Sequence, residues 1–164
     1  MGQYHIIANL DKKEFIHPHQ LGDGLKLREF SSGGYSIQGL TLLLASSNGL
    51  GGGDFRISEE FDHIPGRWAG DRIVIAGDYD NNESSPGYNV YSETNSGEFQ
   101  DISYQVLLAI LSSQYDLEEV EKGDGWYYEN LRKLYSEARN KWEKVKAAKT
   151  RAQNKAENSE AQPA

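Results

Sequence analysis

The pattern of hydrophobic and polar positions changes repeatedly along this chain. Residues 3–9, with Tyr4, Ile6, Ile7 and Ala8, predict a strand, and Glu14 to His17 a second. Leu10-Asp11-Lys12-Lys13 between them implies a tight hairpin, which Pro18 ends by removing a backbone donor. A loop-like stretch, His19 to Gly34, surrounds the short amphipathic piece Leu25 to Phe30, whose pattern fits helix and strand alike. Ile37 to Ser46 is apolar on every side and predicts a buried helix, started by Ser36 and stopped near Asn48-Gly49.

Arg72-Ile73-Val74-Ile75-Ala76-Gly77 is a continuous β-branched run, the pattern of a strand covered on both faces. It is expected at the centre of the sheet with Ile73, Val74 and Ile75 buried. Tyr88 to Tyr91 reads as an edge strand and Ser92 to Glu98 as a polar loop. Asp101 or Ser103 can cap a helix carrying Ile102, Val106, Leu107, Ile110 and Leu111, which should close the core. From Trp126 to about Ala156 no Gly or Pro interrupts a run of helix formers, and residues after Asn158 lack hydrophobic weight. The expected class is α+β: a mixed or antiparallel sheet, a buried helix, a closing helix and a long C-terminal helix. The expected units are an acidic domain over 1–124, a basic amphipathic helix over 125–156 and a disordered tail over 157–164.

Composition refines this picture. The apolar share is 37% and mean hydropathy is −0.71, so part of the 164 residues must be polar surface or disorder. Without Cys there is no disulfide framework, thiolate site or Cys nucleophile. The start of the chain lacks a signal-peptide pattern, Ile6 stands where myristoylation would want Ser or Thr, and no apolar run approaches a membrane span; a cytoplasmic protein is expected. The net charge of −8 is uneven, with 8 Lys/Arg against 20 Asp/Glu in residues 1–124 and 9 against 5 in residues 125–164. An acidic body repels phosphate backbones, while a basic tail attracts them.

Several constellations could carry chemistry. Tyr128, Leu131, Tyr135, Ala138, Trp142, Val145 and Ala152 recur at spacings of three and four, an apolar seam on a charged helix. The seam either packs on its own domain through Trp142 or binds a partner or a second copy. The nine basic residues from Arg132 to Lys155 also admit nucleic acid, a reading that Glu137, Glu143 and the missing aromatic platform disfavour. Gly51-Gly52-Gly53-Asp54 could form a nest for a small anion, or a simple hinge; it matches no Walker A loop and no dinucleotide fingerprint. Trp68, Asp71 and Arg72 lead into the apolar strand and Asp78 and Asp80 leave it, where ligand-facing residues often collect; Asx turns explain the same residues without a ligand. His17, His19 and Asp23, with His5, His63, Asp78 and Asp80 elsewhere, permit a His/carboxylate metal site on paper, although Pro18 breaks the geometry and no HExxH supports it. No cofactor motif is present and no catalytic triad can be assembled from spacing.

Met1-Gly2-Gln3-Tyr4 with Asn9-Leu10-Asp11-Lys12, Gly22-Asp23-Gly24-Leu25-Lys26-Leu27, and the run Trp68 to Tyr79 together resemble a group of small uncharacterised proteins found in bacteriophages and in bacterial and archaeal genomes. The resemblance covers residues 1–115 and implies a mobile-element setting and a host-facing role. It brings no activity or catalytic residue with it. The expectation is a non-catalytic binding module engaging a host protein or a small anionic ligand; the rival is a small metal-dependent hydrolase or nuclease using His and Asp ligands.

Overall fold

The computed structural model describes residues 2–48, 52–81 and 86–160, the last without some side chains beyond Ala152. Its strands are β1 (His5–Asn9), β2 (Glu14–Ile16), β3 (Ile73–Gly77) and β4 (Gln100–Asp101). Its α-helices are α1 (Leu27–Ser31), α2 (Tyr35–Leu44), α3 (Val90–Ser96), α4 (Ser103–Gln114), α5 (Leu117–Lys122) and α6 (Trp126–Glu160). The sheet order is β3-β1-β2-β4, antiparallel except for the β2/β4 pair, so the fold is α+β with a mixed sheet.

The hairpin forms as its sequence demands. The Asn9 side chain accepts from the Asp11 and Lys12 amides, both at 2.9 Å, and Lys13 takes a left-handed conformation at φ 53°. Alternation then divides β1 between two cores. Ile7 and Ile16 face a large cluster with Leu42, Leu43, Phe61, Trp68, Val106, Leu107 and Ile110. Ile6 and Ala8 face a smaller one with Phe15, Ala76, Val90 and Phe99. The strand covered on both faces is therefore β1.

This corrects the expectation for residues 73–75. β3 lies at the sheet edge, where Ile73 and Val74 are half-buried and Ile75 is 44% exposed. An unbroken apolar run can mark a covered strand or a bare edge, because periodicity does not report neighbours. Tyr88 to Tyr91 is not a strand either: Asn89 caps α3 by accepting the Ser92 amide at 2.7 Å, and the expected polar loop is helix. The piece after Leu25 folds as α1, and α5 and β4 were not evident in the pattern.

The apolar α2 begins one residue before Ser36 and is only half-covered, with Leu42 and Leu43 buried and Leu44 40% exposed. Gly39 lets it approach α4: a Cβ there would stand 2.6 Å from Val106 Cγ1. The chain after α2 returns to its end, where the Gly66 and Trp68 amides donate to the Leu42 and Leu43 carbonyls at 2.9 and 2.8 Å. Gly66, at φ 72°, has no room for a side chain against the Ala45 carbonyl.

α6 runs past the expected end at residue 156 to Glu160, while residues 161–164 lie outside the described residues. It is joined to the body by its seam. Leu131 and Ala138 are buried, Leu134, Tyr135 and Trp142 pack on the large core, and Tyr128 and Val145 are half-buried; Ala152 is exposed. The basic side is not all left to water, because Arg139 forks onto Glu60 at 2.7 and 2.6 Å and Lys146 stands 3.7 Å from the same carboxylate.

Candidate functional site

The residues expected beside β3 assemble into a polar clamp on the hairpin. Glu14 is 5% exposed in a strand otherwise filled by Phe15 and Ile16, so its carboxylate must be satisfied internally. Arg67 holds it bidentately, with Nε 2.9 Å from Oε2, and Trp68 Nε1 donates to Oε2 at 2.9 Å. Burial pushes the Glu14 carboxyl up, but the bonds from Arg67 and Trp68 outweigh it and hold it below the ordinary 4.5.

Trp68 is thus fully buried and forms no aromatic wall for a ligand. Asp71 accepts from Lys12 Nζ and from Asn9 Nδ2 at 2.7 Å, and Arg72 donates through Nε and its amide to Asp11 at 2.7 and 2.8 Å. The bond from Arg72 lowers Asp11, and the bond from Lys12 lowers Asp71. All these partners tie the 67–72 segment to the hairpin. Asn9, Asp11, Lys12, Glu14 and Arg67 were missed as site residues; a Glu inside an apolar strand was the available signal.

The other candidates separate. Asp78 exchanges bonds with the backbone of Tyr4: its amide donates to the Tyr4 carbonyl and its Oδ1 accepts the Tyr4 amide, both at 3.0 Å. Asp80 lines a hollow of about 350 Å³ with Gln3, His5, Ile75 and Gly77. Gly52, Gly53 and Asp54 are exposed, and the Asn48 side chain bonds to both the Phe55 amide and carbonyl; Gly51 lies outside the described residues.

Asp23 caps α2 by accepting the Ser36 amide at 2.7 Å, an ordinary structural task. His17 and His19 are near enough to interact electrostatically. Burial pushes the His17 imidazole down against the pull of Asp101, and its Nδ1 is buried without a partner. Among the described residues no three His, Asp or Glu side chains come together as a metal-ligand set.

One open cleft joins elements that the sequence did not connect. About 400 Å³ in volume, it lies between the 3-10 turn Pro18–Leu21, α4 and α6. Leu107, Leu134 and Ala138 give it an apolar floor, with Tyr104 beside them, and His19, Glu137, Lys141 and Lys144 form its rim. Lys141 and Lys144 are exposed, and neither pairs with a carboxylate among the described residues. Arg139 and Lys146 on the same helix are both paired. Arg139 and Lys146 thus make internal contacts, whereas Lys141 and Lys144 line this cleft.

Family models, curated proteins and solved structures yield no match to this chain. The geometry stands alone. Among the described residues no helix is long and apolar enough to cross a membrane.

Proposed function

We propose that this protein is a non-catalytic binding module whose cleft between the Pro18–Leu21 turn, α4 and α6 takes an acidic, partly apolar segment of a protein partner. The observation that carries the reading is the pairing of an apolar floor with two uncommitted lysines one turn apart on its rim. Apolar side chains of the partner bury against Leu107 and Leu134, and carboxylates meet Lys141 and Lys144. A small anionic ligand with an apolar group is the second reading, favoured by a volume inside the usual range for ligand sites.

The test is fluorescence anisotropy of a labelled, acetylated peptide of alternating leucine and glutamate, with octanoate as competitor. Binding that weakens as salt is raised and is lost in Lys141→Glu/Lys144→Glu supports the reading. Unaltered binding by that variant removes the cleft from consideration. Octanoate binding without peptide binding selects the small-ligand reading.

A further inference from the structure

The two edges of the sheet are unlike. One ends in β4, only two residues long and too short to template another strand. The other is β3, Ile73-Val74-Ile75-Ala76-Gly77, which carries neither charge nor proline, the usual guards of an edge. Its backbone parity follows from its pairing with β1. Leu10 N–H donates to the Arg72 carbonyl and Asp78 N–H to the Tyr4 carbonyl, so even-numbered residues point their backbone groups at β1. Ile73, Ile75 and Gly77 point theirs outward. Among the described residues nothing bonds to the outward groups of Ile73 and Ile75; the Gly77 carbonyl accepts the Asp80 amide at 3.2 Å.

We propose that two copies of this chain pair edge to edge through β3, antiparallel about a two-fold axis at Ile75. The outward parity of the strand agrees with this register. Antiparallel partners exchange bonds only between outward-pointing residues. Centring on Ile75 sets Ile75 against its own counterpart and Ile73 against Gly77 of the partner subunit, all of them outward. The Ile75 pair then exchanges both of its bonds across the axis.

The flanking charges fit the same register. Arg72 falls opposite Asp78 of the partner subunit, and Asp78 opposite Arg72 of the partner subunit, on one face and at a close, non-hydrogen-bonded position. Arg72 is bonded to Asp11 in its own chain, yet its side chain is 71% exposed, so its remaining donors can reach a second carboxylate. On the opposite face the exposed Ile75 side chains meet at the axis, removing from water the most exposed apolar group of the strand. The result is one continuous sheet closed by symmetry, with β4 as both outer edges. Slipping the register by two residues breaks the Arg72/Asp78 match and shortens the ladder.

Sedimentation velocity of the full chain over a concentration series up to the high micromolar range tests this. The wild type should show a monomer–dimer equilibrium. Arg72→Glu alone and Asp78→Arg alone each place like charges opposite each other and should weaken association more than about tenfold. Mixing the two variants in equal amounts should restore the dimer, since opposite charges again face each other at both positions. Should Arg72→Glu fail to fold by circular dichroism, Ile75→Lys, at an exposed position, provides the same loss. A wild type that stays monomeric, a dimer that survives all these changes, or folded variants whose mixture stays monomeric would each overturn the proposal.

Discussion

The clamp on the hairpin and the cleft beside α6 both display charged side chains around apolar ones, yet they solve different problems. In the clamp, Glu14, Arg67, Asp71 and Lys12 are matched to one another, and the Trp68 indole supplies the last donor. In the cleft, Lys141 and Lys144 face solvent above Leu107 and Leu134 with no carboxylate assigned to them among the described residues. A buried charge must find partners for the chain to fold, whereas a rim charge can await another molecule. Committed charge marks architecture; under the proposed function, the unpaired lysines beside the apolar floor are where the partner is met.

The sharpest way to break this contrast is at Trp68. Trp68→Ala should lower unfolding free energy by about 3–5 kcal/mol in urea titrations, because it empties a buried site and strips Glu14 of a donor. Trp68→Phe keeps most of the ring but loses the bond to the Glu14 carboxylate, and should cost about 2 kcal/mol. A tolerant Trp68→Ala would mean that the segment is peripheral after all.

Glu14→Gln should cost about 3 kcal/mol at neutral pH, since Arg67 loses the carboxylate that holds it. Glu14 sits below its ordinary 4.5 in the folded chain, so its contribution is complete above that pH and is lost as pH falls through the lower folded value. The gap between wild type and Glu14→Gln should therefore hold above pH 4.5 and shrink as pH is lowered below it. A constant gap would show that the charge of Glu14 is not what the clamp uses.

At the cleft the signs reverse. Lys141→Glu/Lys144→Glu should leave stability within about 0.5 kcal/mol while removing peptide binding. A large loss of stability would mean that these lysines have internal work. The smallest effect is expected from Ile75→Ala, read in the monomer at low concentration: within about 0.5 kcal/mol, far below the cost of a core deletion, because the side chain lies at a sheet edge. A core-sized loss would restore residues 73–75 to the interior.

What the sequence made legible follows from local chemistry. The hairpin, its end at Pro18, the helix that follows Asp101 and the long C-terminal helix all rest on turn residues and periodicity, and all are present, although Ile102 and not Asp101 or Ser103 stands at the N-cap of α4. The place of β3 was not legible, because strand order is set by distant pairing and His5–Asn9 has as good a claim to the centre as Ile73–Gly77. The α3 helix was hidden by its polar composition, which a single Asn89 cap overrides. Of the α6 seam, Leu131 to Trp142 lies against the body, while Ala152, counted with it by spacing, is exposed. Its two sets of cations could not be told apart, because only the fold brings Glu60 to Arg139 and leaves Lys141 over Leu107.

Contact at the cleft and contact at the 67–72 segment leave different marks on the backbone amides. Backbone amide shifts in ¹⁵N-labelled protein, followed while the leucine/glutamate peptide is added, decide this most directly. Shifts should concentrate at Gln20, Tyr104 and residues 134–144 and should persist in Asp71→Asn. Shifts centred on residues 67–72 and the hairpin, abolished by Asp71→Asn, would contradict the account.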